Sequence, residues 1–552
     1  MRPGSSADVR TDVHRDESTV ATLTFLRAVR GRHRAEKRRN VAFLVYSLAL
    51  VGGVWGTPVL LAAARLGRSR ALEDRPAPLL EALPLWAPAL LALVTLVMAR
   101  SATWRGPVLL DGATVAWLLP QPLARGPLLT PRLVSSAIVA ALLGLLGGGV
   151  LGFLLSTGTA GAWGPATAAG AWAGLGTALL GTASGALVVR YERALARRGR
   201  RIFAAAWCAV AVLGALPVVS VVHGLPPWAH TVALWISPWG WAVQPLVEAT
   251  VGGAPGGGFL AALLWACCVA GCVRLAVRAV PGISQESLRL RATVADRVSA
   301  SLFSLDLRQA RSATRVGAGR RARPALRIPA PRTPWLVMPW RDLSGLLRAP
   351  GRLGWAAVWC ASCGAALVFA AGHGGTAGTV SAVAGTWFLY LAAAQLVEPA
   401  RLESDDVRRA ALLPYGARAL ALWHAAVPTL LLALGTGLVC AVCAAGGRWT
   451  PALLAAPTAV PACVGAALVG AYRGQLPVHL LTGTDTPMGN TAPLQIGLWY
   501  LRGMLALLVL VAPVVADAAR GGEYGAGQSV WLLAVAAGGL GWARRTAHRS
   551  QG

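Results

Sequence analysis

Runs of roughly 18–25 apolar residues recur along the whole chain, each long enough to cross a ~30 Å hydrocarbon core as a helix. Between charged boundaries they fall at 41–64, 82–99, 133–157, 166–189, 202–222 and 259–273, then at 353–371, 377–397, 420–445, 451–472, 497–516 and 524–543. In lipid the backbone must satisfy its own hydrogen bonds, so only helices and closed barrels span. Barrel strands are ~10 residues long and alternate in polarity, which these runs do not. The expected fold is therefore all-α, a polytopic membrane protein of about twelve transmembrane helices. With 55% hydrophobic and 13% charged residues, the composition lies outside that of soluble domains.

Charge orders the spans. With the amino terminus inside and sides alternating, only Arg65, Arg68, Arg70, Arg75, Arg448 and Arg520 of the 51 Lys and Arg residues fall outside. Arg-rich segments 27–39, 190–201 and 274–352 all fall inside, while 223–258 holds no Lys or Arg. The positive-inside rule then sets both termini in the cytoplasm of a multi-pass protein in a bacterial inner (cytoplasmic) membrane. A net charge of +29 would suggest nucleic acid in a soluble protein. Its distribution here argues against a nucleic-acid partner. The first 22 residues are polar and carry both charge signs, so no signal peptide is expected.

The spans divide the chain into a first six-span half (1–280), a basic cytoplasmic linker (281–339) and a second six-span half (340–552). An even number of spans sets both halves the same way up, as parallel repeats. Residues 287–313 of the linker suit an amphipathic helix, and the Arg/Pro-rich 315–334 an extended segment. The linker suits anionic headgroups, an acidic partner, or plain solvation. Before the first span of each half lies a basic amphipathic stretch, 24–39 and 338–352, suited to the headgroup layer. In the second, Trp340, Leu346 and Leu347 are expected to dip inward while Arg341 and Arg348 reach phosphates.

One string occurs in both halves, after the second span. Asp111 precedes Leu118, Leu119 and Pro120; Asp405 precedes Leu412, Leu413 and Pro414; an Ala-Arg pair follows each, ending at Arg125 and Arg418. A short helix starting near either Asp would be favoured by capping and by the helix dipole, and the proline would disfavour its continuation. The plain interpretation is a helical turn with an interfacial arginine. Repetition sets a partner-docking loop beside it.

Several chemistries are missing. A P-loop needs Lys beside Ser or Thr, but the single lysine, Lys37, precedes Arg38. The chain is thus not expected to be an enzyme, and no cofactor is expected. Glu81, Glu248 and Asp517 sit at span edges, and His424, near the inner end of the ninth span, is taken as interfacial rather than as a proton relay. Glu403, Asp405 and Asp406 could hold a divalent metal, but Ser404 and Asp405 better suit the start of a short helix, so no metal site is expected. Cys360/Cys363 and Cys440/Cys443 spell CxxC inside spans and are taken as packing neighbours rather than zinc ligands.

An amphipathic helix before six spans, with a short cytoplasmic helix after the second, resembles the permease subunits of type II ABC exporters. WLLPQPLARGPLLTPRL (117–133) and ALLPYGARALALWHA (411–425) resemble that family's coupling loop. RDLSGLLRAPGRL (341–353), with Arg341, Asp342 and Arg348, resembles its elbow. SPWGWAVQPL (237–246) sits where these permeases carry an outer re-entrant element, and the second half has only 517–523 there. The sequence also resembles an actinobacterial group of integral membrane proteins. The resemblance implies a permease component of an ATP-driven exporter, one chain in place of a permease dimer. It would couple through both loops to a separate ABC-type ATPase subunit, among membrane lipids, and carry a lipid-like or hydrophobic substrate. An ion-coupled secondary transporter and a non-transporting scaffold or secretion-assembly factor stay open.

Overall fold

In a computed structural model, the described residues are 21, 24–25, 80, 82–121, 123–156, 163–223, 225–251, 257–303, 329–372, 375–405, 415–474, 476–477, 480, 485–486 and 489–551. Regular structure among them is helical, apart from a two-residue antiparallel pairing of Asp485–Thr486 with Gly489–Asn490. Among the described residues, 9 helices are long and apolar enough to cross a membrane. This is the architecture of a polytopic all-α membrane protein. The expected span 41–64, and the stretch 24–39 beyond Thr24 and Phe25, lie outside the described residues. The chain divides into two compact units, Met1–Leu302 with Gln309–Gly319, and Phe303–Arg308 with Arg320–Gly552.

The first unit contains α1 (Leu83–Ser101), α2 (Gly112–Trp117), α3 (Arg125–Ser156), α4 (Trp163–Arg190), α5 (Glu192–His223), α6 (Pro227–Trp235), α7 (Pro238–Val251), α8 (Gly257–Ala279) and α9 (Gln285–Phe303). Lipid provides no hydrophobic drive between helices, so close backbone approach must hold them together. In the α3–α4 hairpin, Gly144, Gly148 and Gly152, one per turn, face Gly174, Gly170 and Ala166. A Cβ on any of the three α3 glycines would overlap the opposing carbonyl. The break between α6 and α7 folds the 237–246 segment back into the bundle against α1, α4 and α8. There Trp239 Nε1 donates to Thr95 Oγ1 (3.0 Å) and Trp241 Nε1 to the Trp235 carbonyl (3.0 Å). Gly240 lies directly on the Leu234 carbonyl, where no side chain fits.

The second unit contains α10 (Val337–Leu347), α11 (Pro350–Gly372), α12 (Gly375–Leu396), α13 (Glu398–Asp405), α14 (Ala417–Ala445), α15 (Pro451–Ala471), α16 (Ala492–Leu510), α17 (Ala512–Ala519) and α18 (Ala526–Gln551). Helix α15, rich in Ala and Gly, is its buried axis, and α12, α14, α16, α17 and α18 all pack on it. Small residues again allow the approach: Gly465 meets Gly539 of α18, and Gly503 of α16 meets the Ala466 carbonyl. The break between α16 and α17 falls at Val511, because Pro513 offers no N–H and its ring opposes the carbonyl one turn earlier. Helices α5 and α18, at the expected spans 202–222 and 524–543, are not among the 9 found in the described residues.

Candidate functional site

Helix α10 turns Met338, Asp342 and Leu346 toward the protein at helical spacing. Met338 and Leu420 of α14 are fully buried together, flanked by Tyr415 and Trp423. Helix α10 is therefore held on α14 by packing. This corrects the expectation that Arg341 reaches lipid phosphate, because Arg341 turns to Glu403 of α13, with Nη1 2.5 Å from Oε1. The contact is close but off the hydrogen-bonding direction. Leu346 is buried within the protein, whereas Leu347 and Arg348 are exposed.

Between α10 and α13 stands His424 of α14, 1% exposed. Its Nδ1 is 2.7 Å from Asp342 Oδ2 and its Nε2 is 2.8 Å from Glu403 Oε2. A carboxylate only accepts, so two ionised partners require both ring nitrogens to donate, as an imidazolium. Alternatively Asp342 keeps the proton and donates it to a neutral ring. Burial pushes the Asp342 carboxyl above its ordinary range, against the pull of His424. Either way one proton is shared across the Asp342–His424 bond, and with Arg341 opposite Glu403 the cluster is neutral. Tyr472, at the end of α15, is buried beside the two carboxylates, and its hydroxyl lacks a partner, as does Asp342 Oδ1. Below the cluster Arg352 Nη2 pairs with Glu398 Oε1 (2.7 Å), and Ser404 Oγ donates to the Ala471 carbonyl (3.0 Å).

One expectation is corrected here. His424 is not interfacial; it is the buried centre of an ionisable network. Ser404 and Asp405 lie within α13, which starts at Glu398, and the short helix expected to start at them would fall at 406–414, outside the described residues. Glu403 is buried and turns inward to Arg341 and His424. Arg418 is exposed in the first turn of α14, while Leu412, Leu413 and Pro414 lie outside the described residues.

In the first unit Asp111 does cap a helix, α2, accepting from Thr114 N at 3.2 Å and Thr114 Oγ1 at 2.7 Å. Partial burial raises its pKa, but the Thr114 bonds and Arg132 outweigh it and hold the carboxyl below its ordinary range. Leu118 is half-buried and Pro120 exposed, while Leu119 is 6% exposed in a cluster with Val115, Leu129 and Val189. Leu288 and Ala292 of α9 join that cluster, so this helix of the 281–339 stretch packs on the loop. Arg291 fixes it, donating to the Ala102 carbonyl (3.2 Å) and to Glu192 (3.1 Å). Arg125 is exposed and donates to the Ile283 carbonyl (3.2 Å). Trp117, closing α2, is 76% exposed.

Among the described residues no group of three or more His, Cys, Asp and Glu is arranged to hold a metal ion. In the His424 cluster the carboxylates face opposite ring nitrogens and so do not converge on one centre. Compared with family models, curated proteins and solved structures, the chain finds no match in any of the three.

Proposed function

We propose that the chain is the membrane-spanning permease of an ATP-driven exporter, coupled through its two Asp-to-Leu-Leu-Pro loops to a separate ABC-type ATPase. On this reading about twelve spans form two parallel six-helix halves, fused in place of a permease dimer, with both termini in the cytoplasm. The observation that carries it is the buried bridge Arg341–Glu403–His424–Asp342, which ties the pre-span helix α10, the post-span helix α13 and α14 into one body. A push on the segment after α13 would then move the foot of the bundle as a unit. The loop of the first unit is anchored by Leu119 and presents Trp117 outward. Exposed aromatics on a rigid support are favoured anchors for a protein partner. The lone lysine leaves the chain without a P-loop, so ATP hydrolysis belongs to that partner.

The same cluster favours a second reading. Buried ionisable groups at a span end are the usual parts of proton-coupled carriers. Transport in cells with the proton gradient collapsed and ATP held constant separates the two. The permease reading expects transport to continue, and its loss would favour the ion-coupled carrier.

A further inference from the structure

Two arginines of the second unit gather on one aromatic cluster that takes no part in the His424 network. The Arg473 guanidinium lies 4.7 Å from the Tyr500 ring centre and 5.4 Å from that of Trp499, and it donates to the Tyr500 and Gly470 carbonyls. Arg502 of α16 lies 5.6 Å from the Trp499 ring and 5.7 Å from that of Trp542 on α18. Arg549, exposed near the end of α18, lies two turns beyond Trp542 on the same face of that helix. Among the described residues no carboxylate forms an ion pair with Arg502 or Arg549, and the enclosed Nε of Arg502 has no acceptor. Aromatic faces orient a guanidinium and attract it, but they carry no counter-charge. What the cluster lacks is an oxyanion, and the guanidinium fork fits phosphate oxygens in pairs.

Apolar surface runs beside this charge. Leu494, Leu498 and Leu501 are all exposed along one side of α16, at the spacing of a single helix face. An occupant that meets both features has a phosphate at one end and hydrocarbon at the other. We propose that α15, α16 and α18 form a binding site for the phosphate of an anionic phospholipid. Arg502 and Arg549 bind the phosphate oxygens, the aromatic rings and Arg473 hold Arg502 in place, and the acyl chains lie along the leucines of α16. Basic clusters between spanning helices are suited to such headgroups. The site stands whether or not the chain is a permease.

The test uses the purified full chain in detergent, with lipid retention read by native mass spectrometry and stability by Tm. Phosphatidylglycerol, phosphatidylcholine and inorganic phosphate are added separately. The expected result is retention of phosphatidylglycerol about tenfold over phosphatidylcholine, a rise in Tm with the former alone, and no effect of inorganic phosphate. Arg502→Gln and Arg549→Gln should each remove most of that preference. Arg520→Gln, exposed and beside Asp517, should leave it intact. Arg549 is exposed, so its variant reports even where Arg502→Gln fails to fold. A Tm rise with inorganic phosphate alone, lost in Arg549→Gln, would keep the phosphate site but overturn the lipid as its source. Equal retention of both lipids, or an equal loss in Arg520→Gln, would overturn the site altogether.

Discussion

His424 uses both ring nitrogens on buried carboxylates, and the loss of either partner leaves a charge or a donor stranded in a dry site. Glu403→Leu should therefore destabilise the second unit by about 3–5 kcal/mol, the range for breaking a buried ion pair from one side. Thermal melting in detergent measures it, and a loss no larger than that of an exposed site would mean the network is not formed. Asp111 makes the opposite kind of contribution. Its native pKa is depressed, so the unfolded chain binds more protons and the cap is fully present above the ordinary Asp value of 3.8. Protection of the Thr114 amide should hold through neutral and mildly acid pH and fall only as pH drops through that depressed pKa. The Asp111 cap was legible because an N-cap acts on residues adjacent in sequence. The His424 cluster was not. Asp342, Glu403 and His424 come from three helices, 82 and 21 positions of separation lie between the bonded pairs, and only packing joins them. A lone histidine near a span end looks the same in sequence whether it faces headgroups or two carboxylates.

At the scale of elements, apolar run length located nine of the expected spans among the described residues, because lipid demands a minimum apolar length. It did not locate their ends. Helix α3 starts at Arg125 and α5 at Glu192, each before its apolar run, since a helix continues through polar residues once nucleated. Nor does a hydropathy profile register which glycines touch a neighbour. Gly148→Leu should force α3 off α4, against the Gly170 carbonyl, at a cost of about 1–3 kcal/mol. Gly147→Leu, with nothing within 4 Å of its Cβ, is the internal control and should be near neutral. Comparable losses of Tm in the two variants would refute the glycine-packed hairpin. Helix α9 shows the same limit: its polar sequence suits a linker, yet Leu288, Arg291 and Ala292 are buried in the first unit.

At the scale of the whole molecule, the Arg bias between the two sides predicts topology independently of any fold. Reporter fusions after residues 254 and 315 should report outside and inside respectively, and the reverse pattern would remove the loops from the cytoplasmic face. The repeated string marks the proposed docking loops, while the burial of Leu119 in one unit and of Glu403 in the other needed three dimensions. Docking on both loops is the central claim. Affinity purification of the full chain in mild detergent tests it most directly. A P-loop ATPase should co-purify with the wild-type chain, and Arg125→Glu combined with Arg418→Glu should release it, both side chains being exposed. If no ATPase accompanies the wild-type chain, or if the double charge reversal retains one at wild-type yield, the account is contradicted.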